Sequence, residues 1–247
     1  MSERHESSRR EFLYRASLTA LGVALSSSLT SCSSGPPFRT EESTDPAKAL
    51  QALIDGNRRF MEAKLLPHDW NLERRNAVVT GEQPFASVLC CSDPRVPAEV
   101  VFDQGLNDLF IVRGAGHTVT DQVLGSLEYS ITGLKPPVRL IVVLGHQDCG
   151  AIKAAIKEVF NNVTPPGNLA SLTRAIRPAV ELVRELPEDR RLPEAAKHNV
   201  LLVVRQLRED KYLGPLLKEK KVHVVGGIYQ METPIESGRV EFFTATP

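Results

Sequence analysis

The sequence predicts an α/β fold: a central, mostly parallel β-sheet of four strands plus an antiparallel edge strand, flanked by helices. Three observations carry this expectation. Four short β-branched runs, "FASVLCC" (85–91), "LFIVRGA" (109–115), "VRLIVVLGH" (138–146) and "KVHVVGGIY" (221–229), are almost continuously apolar, as strands covered on both faces must be. Helical stretches at 121–133, 149–160 and 194–210 fall between them, an alternation that builds parallel sheets. A last run, "GRVEFFT" (238–244), follows a turn and reads as the edge strand.

Before the sheet, "DPAKALQALIDGNRRFMEAK" (45–64) opens with Asp45 as a cap and Pro46 at the first helical position. Leu50, Leu53, Ile54 and Phe60 give it an apolar stripe, so it reads as an amphipathic helix. A shorter helix is expected near 71–79, and Trp70 is expected to pack against a helix. With 247 residues and 42% hydrophobic content, the chain is long enough for one main domain with a sizeable core. Thirty basic residues balance thirty acidic ones, so no global field draws the chain towards nucleic acid. The sequence holds neither an internal repeat nor a long low-complexity segment.

The first 44 residues follow different rules. Arg9 and Arg10 precede the uncharged stretch "ASLTALGVALSSSL" (16–29), which is too short and too rich in Ser and Thr to span a bilayer comfortably. A basic start, a modest apolar middle and small residues make the layout of a secretion signal over 1–31. The Arg pair followed by Glu11, Phe12 and Leu13 resembles a twin-arginine (Tat) export signal. "LTSC" (29–32) resembles a lipobox, which would make Cys32 the lipidated N-terminus; the other reading is an ordinary signal with a chance cysteine. Residues 32–44 then serve as a flexible tether and 45–247 as the folded domain. The expected location is outside the cytoplasm, periplasmic or cell-surface, touching a membrane only through that lipid.

Chemistry concentrates in two short segments. "CCSDPR" (90–95) ends the first strand, where Cys90 and Cys91 must point to opposite faces. "GHQDCGA" (145–151) ends the third, with His146 and Cys149 three residues apart. If Cys32 is lipidated, three cysteines remain, an odd number that argues against a pure disulfide framework. Strand ends on the carboxyl side of parallel sheets are where open α/β folds build their sites. Cys91, His146 and Cys149 can meet there. Two thiolates and an imidazole suit zinc and leave a fourth position open for chemistry.

These residues resemble the β-class carbonic anhydrases, whose C-x-D-x-R and H-x-x-C pairs appear here in order. The resemblance also takes in "GNRRF" (56–60), "SDPRVPAEVVFDQG" (92–105), "DLFIVR" (108–113), "VLGSLEYSI" (123–131) and "VVGGIY" (224–229). It implies Zn2+ held by Cys91, His146 and Cys149, and an Asp93–Arg95 dyad in which Arg95 keeps Asp93 off the metal. In a closed form of some members the aspartate becomes the fourth ligand. It further implies reversible hydration of carbon dioxide to bicarbonate and a proton by metal-bound hydroxide. Phe110 and Ala115 match positions that line the pocket from a neighbouring subunit, so a homodimer or a higher multiple is expected.

Departures are also visible. Pro94 stands where the family commonly has Ser, and Glu82 with Gln83 stands where a pocket-lining amide is usual. His117 replaces a common Asn and reads either as a proton carrier or as a polar loop residue. Asp148 takes no role from the resemblance, and His5, His68, His198 and His223 read as surface or packing residues. Two thiolates cancel the formal charge of a zinc ion, so activity is expected to rise on the alkaline side. Two rival readings remain: a carbonyl sulfide or carbon disulfide hydrolase on the same scaffold, and a non-catalytic zinc lipoprotein.

Overall fold

A computed structural model describes residues 45–67, 71–231 and 238–243. The expected leader and tether, His68 and Trp70 lie outside the described residues. Helices α1 (Pro46–Met61) and α2 (Leu72–Val78) lead into β1 (Ala86–Cys90), a short α3 (Ala98–Val101) and β2 (Leu109–Arg113). A 3-10 turn (Ala115–His117), α4 (Asp121–Thr132) and β3 (Leu140–His146) follow. Then come α5 (Gly150–Asn161), α6 (Leu169–Glu181), α7 (Glu188–Glu209), α8 (Leu213–Lys218), β4 (His223–Tyr229) and β5 (Val240–Phe243). The strand order is β2-β1-β3-β4-β5. The first four strands pair in parallel and β5 antiparallel to β4, as the sequence patterns predict.

Two apolar layers sandwich this sheet. On one face α1 and α3 pack through Ala49, Leu53, Val101 and Phe102 onto Val88, Cys90, Leu140 and Val142. On the other, α4 to α8 pack onto Leu89, Cys91, Ile141 and Val143. Odd and even strand residues therefore go to opposite layers, which separates the two adjacent cysteines.

The "GNRRF" segment is explained by packing. A Cβ on Gly56 would sit 1.8 Å from the Phe102 carbonyl oxygen, so only glycine lets α1 approach so closely. Asn57 donates to the Val101 and Gly238 carbonyls at 3.0 and 2.7 Å and accepts from the Val240 N–H at 2.7 Å. Arg59 forms an ion pair with the buried Asp103. One helical turn thus fastens α1 to α3 and to the far edge strand.

Three helices arise where the sequence patterns predicted none: α3, α6 and α8. In α6 the interior Pro178 argues against a helix, at a cost of roughly 3 kcal/mol. Its buried Thr173, Ile176, Ala179 and Val180 recur at helical spacing. Burying each large apolar side chain returns roughly 1.5–3 kcal/mol, so tertiary packing outweighs the local penalty. Helix α7 also begins six residues before the expected 194, running through Pro193.

Candidate metal centre

Strand order places the site. The chain leaves β1 for β2 on one side, then crosses back to β3 on the other. A crevice opens at such a switch point, outside the carboxyl ends of β1 and β3. Cys91 follows β1 directly, His146 ends β3, and Cys149 caps the start of α5.

Cys91, His146 and Cys149 come together as the sequence predicts. Their ligand atoms all lie within 4.8 Å of one another, and all three residues are buried. Each side chain is prepared by a neighbour. The Gly116 N–H donates to Cys91 Sγ at 3.3 Å, from the turn that follows β2. His146 Nδ1 lies 2.7 Å from the Gln147 carbonyl oxygen, to which it donates. That contact leaves the proton on Nδ1 and a lone pair on Nε2, which is buried without a protein partner. Cys149 Sγ lies against the first backbone N–H groups of α5, at Ala151 and Ile152, which favour a thiolate.

The donor set fits zinc: two free thiols and one imidazole lone pair converge within 4.8 Å, the ligand types such a site takes, with a fourth position left open. Hydrogen bonding from Cys149 pulls the Cys91 thiol well below its ordinary value, and the same contact pushes Cys149 up. Cys90 behaves differently: burial pushes its thiol up to about 12, so it stays protonated in the opposite layer.

Asp93 and Arg95 form a close pair at the rim. Arg95 Nη2 and Nε donate to Asp93 Oδ2 and Oδ1 at 2.8 and 3.0 Å, and the Arg95 backbone N–H adds a third bond at 2.9 Å. The guanidinium contacts hold the Asp93 carboxyl down at about 2. Pro94 occupies the second position of a turn closed by the Val96 N–H to the Asp93 carbonyl at 3.0 Å, so the substitution preserves the turn. Asp93 Oδ2 lies 4.0 Å from His146 Nε2 while held by Arg95.

A scan of the chain with family models matches the description "Carbonic anhydrase" over residues 86–240. The chain belongs to the carbonic anhydrase family. A carbonic anhydrase of Mycolicibacterium smegmatis is 38% identical over 199 residues, covering 80% of this chain and 93% of the relative. "Carbonic anhydrase 2" of Mycobacterium tuberculosis is 41% identical over 141 residues, covering 57% of this chain and 67% of the relative. Among solved structures, a tetrameric β-carbonic anhydrase of Sordaria macrospora superposes with a TM-score of 0.61 at 20% identity, over 79% of this chain and 96% of that one. The shared architecture is that of the β-class.

Other predicted site residues of this carbonic anhydrase fall in different places. Ala115 is exposed and immediately precedes Gly116. Phe110 is half-buried on β2, its ring 6.1 Å from that of Tyr129. Glu82 accepts from the Tyr129 hydroxyl at 2.9 Å, and the Gln83 N–H donates to Asn107 Oδ1 at 3.1 Å. Both precede β1, roughly 25 Å of extended chain from Cys91, and do not meet the cluster of their own chain. His117 lies in the turn after β2, as a polar loop residue would, but the proton-carrier reading is corrected. It is buried, its Nε2 lies 3.0 Å from Asn199 Nδ2, and burial pushes it down to about 4. Such a group is neutral at physiological pH and has no surface to deliver protons to.

Arg113, missed at the sequence level, donates to the Cys91 and Asp93 carbonyls at 3.0 and 2.7 Å and fixes the backbone between ligand and dyad. Its signals were a charge ending an apolar strand and a place in the "DLFIVR" segment of the resemblance, neither of which named a partner. Asp148 and Lys153 were missed too. Asp148 Oδ2 accepts from Arg95 Nη1 at 3.4 Å, and its other oxygen pairs with Lys153.

Proposed function

We propose that this protein is a zinc-dependent carbonic anhydrase that interconverts carbon dioxide and bicarbonate. The observation that carries this reading is the inward-facing set of two thiols and one unpartnered imidazole nitrogen beside an Asp–Arg pair. Cys91, His146 and Cys149 would hold the metal. Zinc bound there would supply Lewis acidity that lowers the pKa of water and makes it a nucleophile, less strongly than in an all-imidazole site.

The chain's own groups do the rest. Asp93 is ionised across the physiological range and can accept a hydrogen bond that orients an attacking water. Arg95 orients that carboxylate, and Arg113 fixes the loop that carries it. Overall, water contributes its oxygen to the carbon of carbon dioxide, and one proton is released with bicarbonate. A purely structural metal site would need no such dyad, which speaks against a non-catalytic lipoprotein.

We further propose a homodimer or a multiple of it. Among the described residues β2 pairs only with β1, leaving an open sheet edge with half-buried Leu109, Phe110 and Ile111. Pairing there would let Phe110, Ala115, Glu82 and Gln83 line a partner's pocket. Export by a Tat-like route with lipidation at Cys32 is proposed from sequence alone, on Arg9, Arg10 and "LTSC". Changing both arginines to Lys should block export; unchanged localisation would refute that route.

Stopped-flow carbon dioxide hydration across pH tests the activity, with Asp93→Asn and Cys149→Ser beside wild type. The expected result is turnover rising on the alkaline side and nearly abolished in both variants. Zinc-loaded wild type without hydration at any pH would sink the reading, and turnover of carbonyl sulfide instead would redirect it.

A further inference from the structure

Between the ligands His146 and Cys149 lies a carboxylate that the zinc reading leaves unused. Asp148 has a left-handed backbone, with φ 57°, and reaches back across the crevice to the turn after β1. Its Oδ2 and its carbonyl oxygen accept from Arg95 Nη1 and Nη2, both at 3.4 Å. Its other carboxylate oxygen pairs with Lys153, one turn into α5. Arg95 is thus held from two sides: Asp93 takes Nε and Nη2, and Asp148 takes Nη1.

The second anchor matters because of where the first one sits. Asp93 and Arg95 belong to one short turn, so their mutual bonds do not fix the pair relative to the metal ligands. The Arg95 side chain is 50% exposed and has several rotatable bonds. Asp148 joins its guanidinium to the loop that carries two of the three ligands. The planar fork of arginine suits this role, since each edge of it can serve a different acceptor. The charges along the chain Asp93, Arg95, Asp148, Lys153 alternate in sign. With Asp93 Oδ2 only 4.0 Å from His146 Nε2, a small side-chain rotation separates a carboxylate held by arginine from one at the metal.

We propose that Asp148 is a positioning residue that, by anchoring Arg95 to the H-x-x-C loop, keeps the Asp93 carboxylate turned away from the zinc ligands. It acts through Arg95 and touches no reacting atom. The inference rests on the zinc reading above.

The test uses the full, zinc-loaded chain with Asp148→Gly and Asp148→Asn, alone and combined with Arg95→Ala. Glycine and asparagine both accept a left-handed backbone, and asparagine also keeps an acceptor oxygen. Three quantities are read: the NMR order parameter of the Arg95 Nε–H, the zinc content, and kcat/KM for carbon dioxide. Asp148→Gly should mobilise Arg95 and lower kcat/KM by about two- to five-fold, the worth of one exposed charged pair, with zinc content unchanged. Asp148→Asn should fall between it and wild type. In the Arg95→Ala background, Asp148→Gly should change nothing further. An undiminished effect in that background, or an Arg95 order parameter equal to wild type in Asp148→Gly, would overturn the proposal. A wild-type protein without hydration activity would fail the carbonic anhydrase reading instead, and the Arg95 order parameter would still decide this one.

Discussion

Acid should destabilise this protein through His117, by an amount the structure sets. The ordinary value of 6.5 for a histidine falls to about 4 in the folded chain, chiefly because the ring is buried. Below pH 6.5 the unfolded chain takes up a proton that the native state refuses. Stability is therefore full above that pH, declines as pH falls towards 4, and declines no further from this group below it. Each pH unit in the window is worth about 1.4 kcal/mol, so moving from pH 7 to 5 removes about 2 kcal/mol. His117→Asn isolates the contribution. Residue 117 has φ 44°, a conformation asparagine accepts, and asparagine does not titrate. Urea unfolding midpoints of both zinc-loaded proteins at pH 7 and 5 give the comparison, in which acid loss of metal is common to both. The variant should lose about 2 kcal/mol less than wild type between the two pH values. An equal loss in both would mean that burial does not hold His117 neutral and would revive its reading as a proton carrier.

Three further outcomes are expected. Cys149→Ser should lower bound zinc to a small fraction of one per chain by metal analysis, whereas Cys90→Ala, in the opposite layer, should keep full zinc. Arg113→Met removes both donors that fix the Cys91–Asp93 backbone, and should weaken zinc binding or activity by about ten-fold or more in a chelator competition or hydration assay. Asn57→Ala strips partners from three buried backbone groups and should cost about 2–3 kcal/mol, a fall in Tm of roughly 5–10 °C by calorimetry with little change in kcat.

The sheet was legible because buried parallel strands must be apolar on both faces, and the runs from 85 to 146 say so residue by residue. Helix α6 was not, since Pro178 breaks its local signal and only contacts with α5 and α7 reveal the stripe it buries. The ligand set was legible because its members cluster at and just beyond two strand ends, in the C-x-D-x-R and H-x-x-C pairs of the family. Its supports were not: Arg113 reaches Cys91 across 22 residues of sequence and Asp148 reaches Arg95 across 53. Spacing within a motif carries no trace of such contacts. His117 shows the same limit from the other side. Its near-neutral ordinary pKa suggested a proton carrier, while Asn199 of α7 closes over it.

Cys91, His146 and Cys149 are proposed to hold one zinc ion. X-ray absorption at the zinc edge of the purified holoprotein, with metal content measured on the same sample, tests it most directly. One zinc per chain is expected, with two sulfur neighbours at about 2.3 Å and one imidazole nitrogen at about 2.0–2.1 Å. A shell with no sulfur, or one with a third sulfur recruited from Cys90, would contradict it.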